Sequence, residues 1–285
     1  MMKRKSMLLV SVLLMMAVAI TGCGGGSSTP AQQASDQTEE LSGVIAIAGS
    51  TSVHPLTEEL TMAFMENNRG VRIDVSGGGS GAGIESAASG AADIGMSSRG
   101  LRDTETAGVQ VVTIANDGIA MIVHPDNPIQ GLELTMEQVY EIYTGKITNW
   151  SQVGGDDISM IVVSREEGSG TRGAFEEIVL GKSAPTERMT IQNSTGAVMA
   201  AVAADVNAIG YTSTGSVNDT IKVIPVNGVM PSVQTINAGD YPIFRPFIYI
   251  VAEGEINPIS EALISFILSS EGQTIVEREG FIPIN

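Results

Sequence analysis

The chain is short of several residues on which protein chemistry often depends. It has 1 Cys, 1 Trp and 2 His in 285 residues. A single cysteine excludes an intrachain disulfide. The histidines, His54 and His124, each precede a proline and read as loop or surface residues rather than a catalytic base or a metal pair. Positive charge is scarce as well: 15 Lys and Arg stand against 32 Asp and Glu, for a net charge of −17. That balance argues against a nucleic-acid partner, which needs clustered Lys and Arg. The apolar run Met7 to Ile20 has 14 residues, too few to cross a bilayer comfortably. No serine loop has the Gly-x-Ser-x-Gly spacing of a nucleophile elbow, and no glycine loop ends in the Lys-Ser/Thr of a nucleotide P-loop. Nothing in the pattern calls for a cofactor or a metal.

Glycine and aliphatic residues are what the chain has in quantity. With 33 Gly, 43% hydrophobic residues and only 4% aromatics, it suits an α/β protein with many tight loops. Short apolar strands alternate with helical spacings, as βαβ units require. Val44 to Ala48 reads as a strand, followed by a helix with Pro55 in its first turn and Leu56, Leu60, Ala63 and Phe64 on one face. Val109 to Ile114 and Ile119 to Val123 read as two strands bracketing Asn116-Asp117-Gly118. Thr135 to Gln138 fits a capping box, Ile158 to Val163 a strand, and Ala174 to Leu180 the helix after it. Ser194 can cap a helix through Val202, and Ser270 the final one.

Three loops rich in Gly, Ser and Thr fall where a strand should hand over to a helix. They are Gly49-Ser50-Thr51-Ser52, the run Gly77 to Gly83 around Ser80, and Arg165 to Arg172, which contains Gly168-Ser169-Gly170-Thr171. A helix start leaves backbone N–H groups unpaired and carries the positive end of the helix dipole. Glycines let a bound group come close to that backbone, and hydroxyls add donors beside it. Converging on one point with Arg165, such loops form a cage for a small oxyanion. The negative bulk charge does not forbid this, because it acts through screening salt whereas the cage acts by contact. Arg99, Arg102 and Arg172 read as divided between pocket rim and surface ion pairs. Trp150 with Tyr143 reads as a packed anchor for the loop at Lys146.

The N-terminus has the pattern of a targeting segment. Lys3, Arg4 and Lys5 precede the apolar run, and Ile20-Thr21-Gly22-Cys23 resembles the bacterial lipobox, in which the cysteine becomes the lipidated first residue. Residues 1–22 are thus expected to be a signal peptide. Residues 23–42, rich in Gly, Ser, Pro and Gln and then acidic, are expected to be a flexible tether to the cell membrane.

At these motifs the sequence resembles the phosphate-binding proteins of bacterial ABC importers, in the periplasmic binding protein-like II group. The matching stretches include Gly49 to Pro55, Gly77 to Gly83, Ala92 to Arg99, Asp117 to Ala120, Thr144 to Trp150, Gly168 to Arg172 and Ile209 to Tyr211. The resemblance implies two α/β lobes, each a mostly parallel sheet flanked by helices, joined by a two-segment hinge. Lobe 1 would comprise residues 43–117 plus 243–285, and lobe 2 residues 118–242. Carried over position by position, the phosphate ligands fall on Thr51, Ser52, Ser80, Ser98, Arg165, Ser169, Gly170 and Thr171. The family places an Asp where this chain has Ser98, which leaves Asp117, then Asp93, as candidate carboxylates to accept the phosphate proton. The implied protein is a monomeric, extracytoplasmic, lipid-anchored receptor. It would bind inorganic phosphate without a cofactor and deliver it to membrane permease subunits. A receptor for sulfate or molybdate, and a surface phosphoryl enzyme or adhesin on the same fold, are the alternatives.

Overall fold

The computed structural model of the chain describes residues 40–127 and 133–284. The expected signal peptide, Cys23 and all but the end of the expected tether lie outside the described residues. Residues 40–285 form one compact unit.

The first half alternates as expected. Strand β1 (Ser42–Gly49), helix α1 (His54–Asn67), β2 (Gly70–Gly77), α2 (Ser80–Ala88) and β3 (Ile94–Ser97) follow in order. Next comes β4 (Val109–Val123), a single strand of 15 residues, where the sequence suggested two. Asn116-Asp117-Gly118 looks like a turn, but the polar Asp117 side chain is satisfied from other elements, so the strand runs through it. Its one irregularity falls between Thr113 and Ala115.

The second half holds α3 (Met136–Tyr143), β5 (Ile161–Arg165), α4 (Gly170–Phe175), β6 (Met189–Gln192), α5 (Thr195–Ala203), β7 (Ala208–Ser213), β8 (Lys222–Ile224) and α6 (Val233–Asn237). The chain closes with β9 (Phe244–Ala252), α7 (Pro258–Leu268) and α8 (Ser270–Arg278). The capping box at Thr135 and Gln138 is present, and Ser194 caps α5. Helix α4 starts four residues before the expected Ala174, because Ser169 caps it by accepting from Arg172 N; a π-helical turn, Glu176–Leu180, continues it. The last helix is capped by Ser269 rather than Ser270.

The strands run in the order β2-β1-β3-β9-β4-β7-β5-β6, with β8 also on β4. Strands β1, β2 and β3 pair in parallel, as do β5, β6 and β7. Between these two parallel groups run β4 and β9, antiparallel to each other from Val109↔Ala252 to Gly118↔Phe244. Past Gly118, β4 pairs with β7 and β8 instead. Two lobes therefore share a pair of crossing strands.

Each lobe has its own core. Ile45, Ile47, Leu56, Leu60, Tyr249 and Leu263 pack in the first. Met121, Val139, Tyr143, Trp150, Phe175 and Tyr211 pack in the second. There Phe175 stacks on Tyr211 with ring centres 4.2 Å apart, and Tyr143 meets Phe175 edge-on. Trp150 is buried and donates Nε1–H to Asn207 O at 3.0 Å, as a packed anchor should.

Candidate functional site

The carboxyl ends of the parallel strands in both lobes point at one place, where open α/β sheets bind their ligands. Thr51 and Ser52 follow β1, Ser80 is the first residue of α2, and Ser98 follows β3. From the other lobe, Arg165 ends β5, Ser169 caps α4, and Gly170 and Thr171 open it. The eight positions singled out in the sequence meet in a single hydroxyl-rich cluster.

The contacts cross between lobes. Ser52 Oγ and Thr171 Oγ1 lie 3.1 Å apart, Gly81 N donates to Gly168 O at 3.0 Å, and Arg165 Nη2 donates to Thr51 Oγ1 at 3.2 Å. Within the first lobe, Ser50 Oγ donates to Ser98 Oγ at 2.9 Å, and Ser98 N donates to Ser80 Oγ at 3.0 Å. Ser50, Ser52, Ser80, Ser98, Ser169 and Thr171 are all buried. The Ser169 hydroxyl accepts its capping bond from Arg172 N and keeps its O–H to donate, so that loop offers the backbone, Ser169 and Thr171. Gly170 sits against the opposite lobe: a Cβ there would run into Ser80 Oγ and Ser98 Oγ. Only glycine permits so close an approach.

Arg165 is 2% exposed and well held. Its Nε and Nη2 donate to the two oxygens of Glu166, each at 2.8 Å, while Nη1 donates to Thr195 Oγ1 at 3.2 Å. Beneath it Ser164 Oγ and Tyr211 Oη lie 2.8 Å apart. Burial pushes the Tyr211 hydroxyl up to about 12, against the pull of that hydrogen bond, so it stays protonated.

Three members of the cluster were not picked out from the sequence. Ser50 belongs to a loop already noted. Thr195 opens α5, a fourth helix start with the same Ser-Thr-Gly chemistry, and its N–H donates to Thr51 Oγ1 at 3.2 Å. The Ser194-Thr195-Gly196 run after a strand was the available signal. Arg245, on β9, had no local signal. It is 2% exposed, and its Nη2 donates to Asp117 Oδ2 at 2.9 Å and to Ser52 Oγ at 3.3 Å.

The candidate carboxylates have other partners. Asp117 Oδ1 accepts from Ser213 at 2.8 Å and Thr214 at 3.0 Å, while Oδ2 accepts from Arg245. Burial raises the Asp117 carboxyl above its usual range, opposed by the charge of Arg245 and these hydroxyls. Asp93 accepts from Ala46 N and Asn257 Nδ2, neither of which belongs to the cluster. Of the remaining arginines, Arg99 makes a two-pronged pair with Glu105. Arg172 pairs with Glu176 at 2.6 Å and also donates to Arg165 O. The histidines keep local roles: His54 faces Glu58, and His124 Nδ1 accepts from Asp126 N. Among the described residues no cluster of His, Cys, Asp and Glu is arranged to hold a metal.

A two-lobed α/β protein that closes a cage of hydroxyls and guanidinium groups at its strand ends is a solute-binding receptor in class. The PBP superfamily domain matches residues 27–271. The phosphate-binding protein PstS of Bacillus subtilis (strain 168) is 30% identical over 283 residues, covering 98% of this chain and 93% of the relative. A phosphate ABC transporter substrate-binding protein from Clostridium perfringens, solved with bound phosphate, is 42% identical with a TM-score of 0.82, covering 85% of this chain and 100% of that one. An ABC-type phosphate transport receptor from Vibrio cholerae is 33% identical with a TM-score of 0.70, over 85% and 100% of the respective chains. The chain belongs to this family of ABC-importer substrate-binding proteins.

Proposed function

We propose that the chain captures inorganic phosphate outside the cytoplasm and delivers it to the permease of an ABC importer. The observation that carries this reading is the buried cluster built from both lobes around Arg165. Relatives named as phosphate-binding proteins, one solved with phosphate bound, support the choice of ligand. Thr51, Ser52, Ser80 and Ser98 meet the anion from a first lobe of residues 43–117 plus 243–285. Arg165, Ser169, Gly170 and Thr171 meet it from a second lobe of residues 118–242. Strands β4 and β9 are the hinge, and closure hides the ion from water. Each charge-assisted hydrogen bond contributes about 1.5–3 kcal/mol before the costs of ordering and desolvation.

Phosphate still carries a proton at neutral pH, and sulfate does not. With Asp117 engaged by Arg245, Ser213 and Thr214, that proton falls to a hydroxyl oxygen, and we assign it to Ser98. Among the described residues no helix is long and apolar enough to cross a membrane. Attachment is assigned to lipid on Cys23, with the following residues as tether, and more than one acyl chain is needed for stable anchoring.

The test is calorimetric titration of anion-stripped protein with phosphate, in the presence and absence of excess sulfate and molybdate. Tight phosphate binding that ignores the competitors supports the reading, and equal binding of sulfate refutes it. Cys23→Ser is expected to release the protein from the membrane fraction; retention there would refute the anchor.

A further inference from the structure

We propose that Arg245 is a second anion-binding arginine, and that its unpaired donors make lobe closure conditional on the anion. The inference rests on the phosphate-receptor reading and deepens it.

The two buried arginines differ in what they have left to give. Arg165 engages four of its five N–H groups, with Glu166, Thr195 and Thr51, and keeps one on Nη1. Arg245 uses Nη2 alone, and its Nε and Nη1 are buried without an acceptor among the described residues. The fixed fork of a guanidinium sets Nη1 beside Nη2, which already reaches Ser52 in the cluster. A fully charged guanidinium with half its fork unsatisfied in the closed protein is unfavourable, since buried donors need acceptors. A tetrahedral oxyanion at the Nη1–Nη2 end supplies acceptors for Nη1.

Position gives this arrangement a mechanical role. Arg245 and Asp117 are directly opposite partners on β9 and β4, the strands that cross between lobes. Asp117 accepts from Ser213 and Thr214 of the second lobe, Arg245 donates to Ser52 of the first, and Ser52 meets Thr171 of the second. Hydrogen bonds thus run from hinge to cluster and across the closing interface. Asp117 acts as a positioning residue that fixes the guanidinium. Asp117 and Glu166 each offset one arginine, so the site recognises its ligand by directed N–H groups rather than by surplus charge. Without the anion, closure buries Arg245 with donors unmet and the open form is favoured; with it, the penalty is reduced.

The test uses the full-length protein in mild detergent, stripped of anion. Removing Arg245 alone would strand Asp117, so the first variant is the double replacement D117N/R245M; R245K, which keeps the charge and the Asp117 bond but loses the fork, is the second. Phosphate affinity is measured by calorimetry, and closure by hydrogen exchange at the Gly81 amide, whose partner Gly168 O lies on the other lobe. We expect D117N/R245M to lose at least about 30-fold in phosphate affinity, the lower bound for a buried charged partner removed, and R245K to bind phosphate more weakly than wild type. We also expect D117N/R245M to protect Gly81 without phosphate more than wild type does. A merely structural role for Arg245 would speed that exchange instead. Wild-type affinity in R245K, or unprotected Gly81 in phosphate-free D117N/R245M, overturns the inference. Should wild type itself not bind phosphate, the receptor reading fails first and the inference falls with it.

Discussion

Replacing Gly170 by Ala adds one methyl group at the tightest inter-lobe contact. A Cβ at this position would run into the hydroxyls of Ser80 and Ser98, and would lie 2.8 Å from Ser80 Cβ. Those serines are fully buried and hydrogen-bonded, so they have little room to yield. Overpacking of this kind costs about 1–3 kcal/mol. The open form, with the lobes apart, escapes the clash, so the whole cost falls on closure and on phosphate. Affinity should drop by about 5- to 150-fold, as 1.4 kcal/mol corresponds to tenfold. Thermal and denaturant melts provide a second reading. At phosphate 100 times the wild-type Kd, wild type should gain about 2.7 kcal/mol of stability, and Gly170→Ala only about 0.3–1.8 kcal/mol. Without phosphate the two proteins should unfold alike. An unchanged Kd would refute the closed-contact argument. Equal destabilisation with and without phosphate would show that Gly170 serves the fold rather than closure.

Other perturbations address single contacts. Arg165→Ala should weaken phosphate binding by about 2–5 kcal/mol, the usual effect of removing one partner from a buried charged interaction; unchanged affinity by calorimetry removes Arg165 from the site. Thr195→Val takes away an acceptor of Arg165 and the hydroxyl that meets Thr51 Oγ1, and should weaken phosphate binding by about 1.5–3 kcal/mol with little change in melting without ligand. Glu105 is held at about 2, below its ordinary 4.5, chiefly by the hydrogen bond from Arg99. A depressed carboxyl stabilises the fold fully above its unfolded value, and that contribution disappears as pH falls through about 2. Glu105→Gln should therefore melt earlier than wild type at pH 7, with the gap closing towards pH 2.

The parts of the site legible in the sequence were those encoded over short spans. A strand ending in Gly-Ser-Thr before a helix is a local pattern, and Arg165 sits beside one, four residues before the helix cap Ser169. Arg245 could not be read this way. Its burial depends on pairing with Asp117, 128 residues away in sequence, and Phe-Arg-Pro-Phe on its own resembles an exposed strand end. The same pair explains why β4 looked like two strands. An Asp-Gly step ordinarily marks a turn, but three side chains from distant elements satisfy Asp117 and keep the backbone extended. Thr195 was missed for a different reason: Ser194 was read as a cap, and the residue after it was passed over. The two-lobed architecture was legible only through the resemblance to a known family, whereas the strands that cross between lobes are set by long-range register.

The place of β9 in the sheet has a consequence for how the protein is made. It lies between β3 and β4 but is the last strand of the described residues, so residues 98–243 are synthesised before β3 gains its second neighbour. The lobe carrying β5 to β8 is contiguous and can form as it emerges, whereas the other lacks β9, α7 and α8 until the end. Pairings this distant in sequence form slowly, and an unpaired β3 invites contact with other chains. The C-terminal 43 residues thus act as the closing stitch of folding, and a truncation that spares every hydroxyl of the cluster would still leave half the protein unfinished.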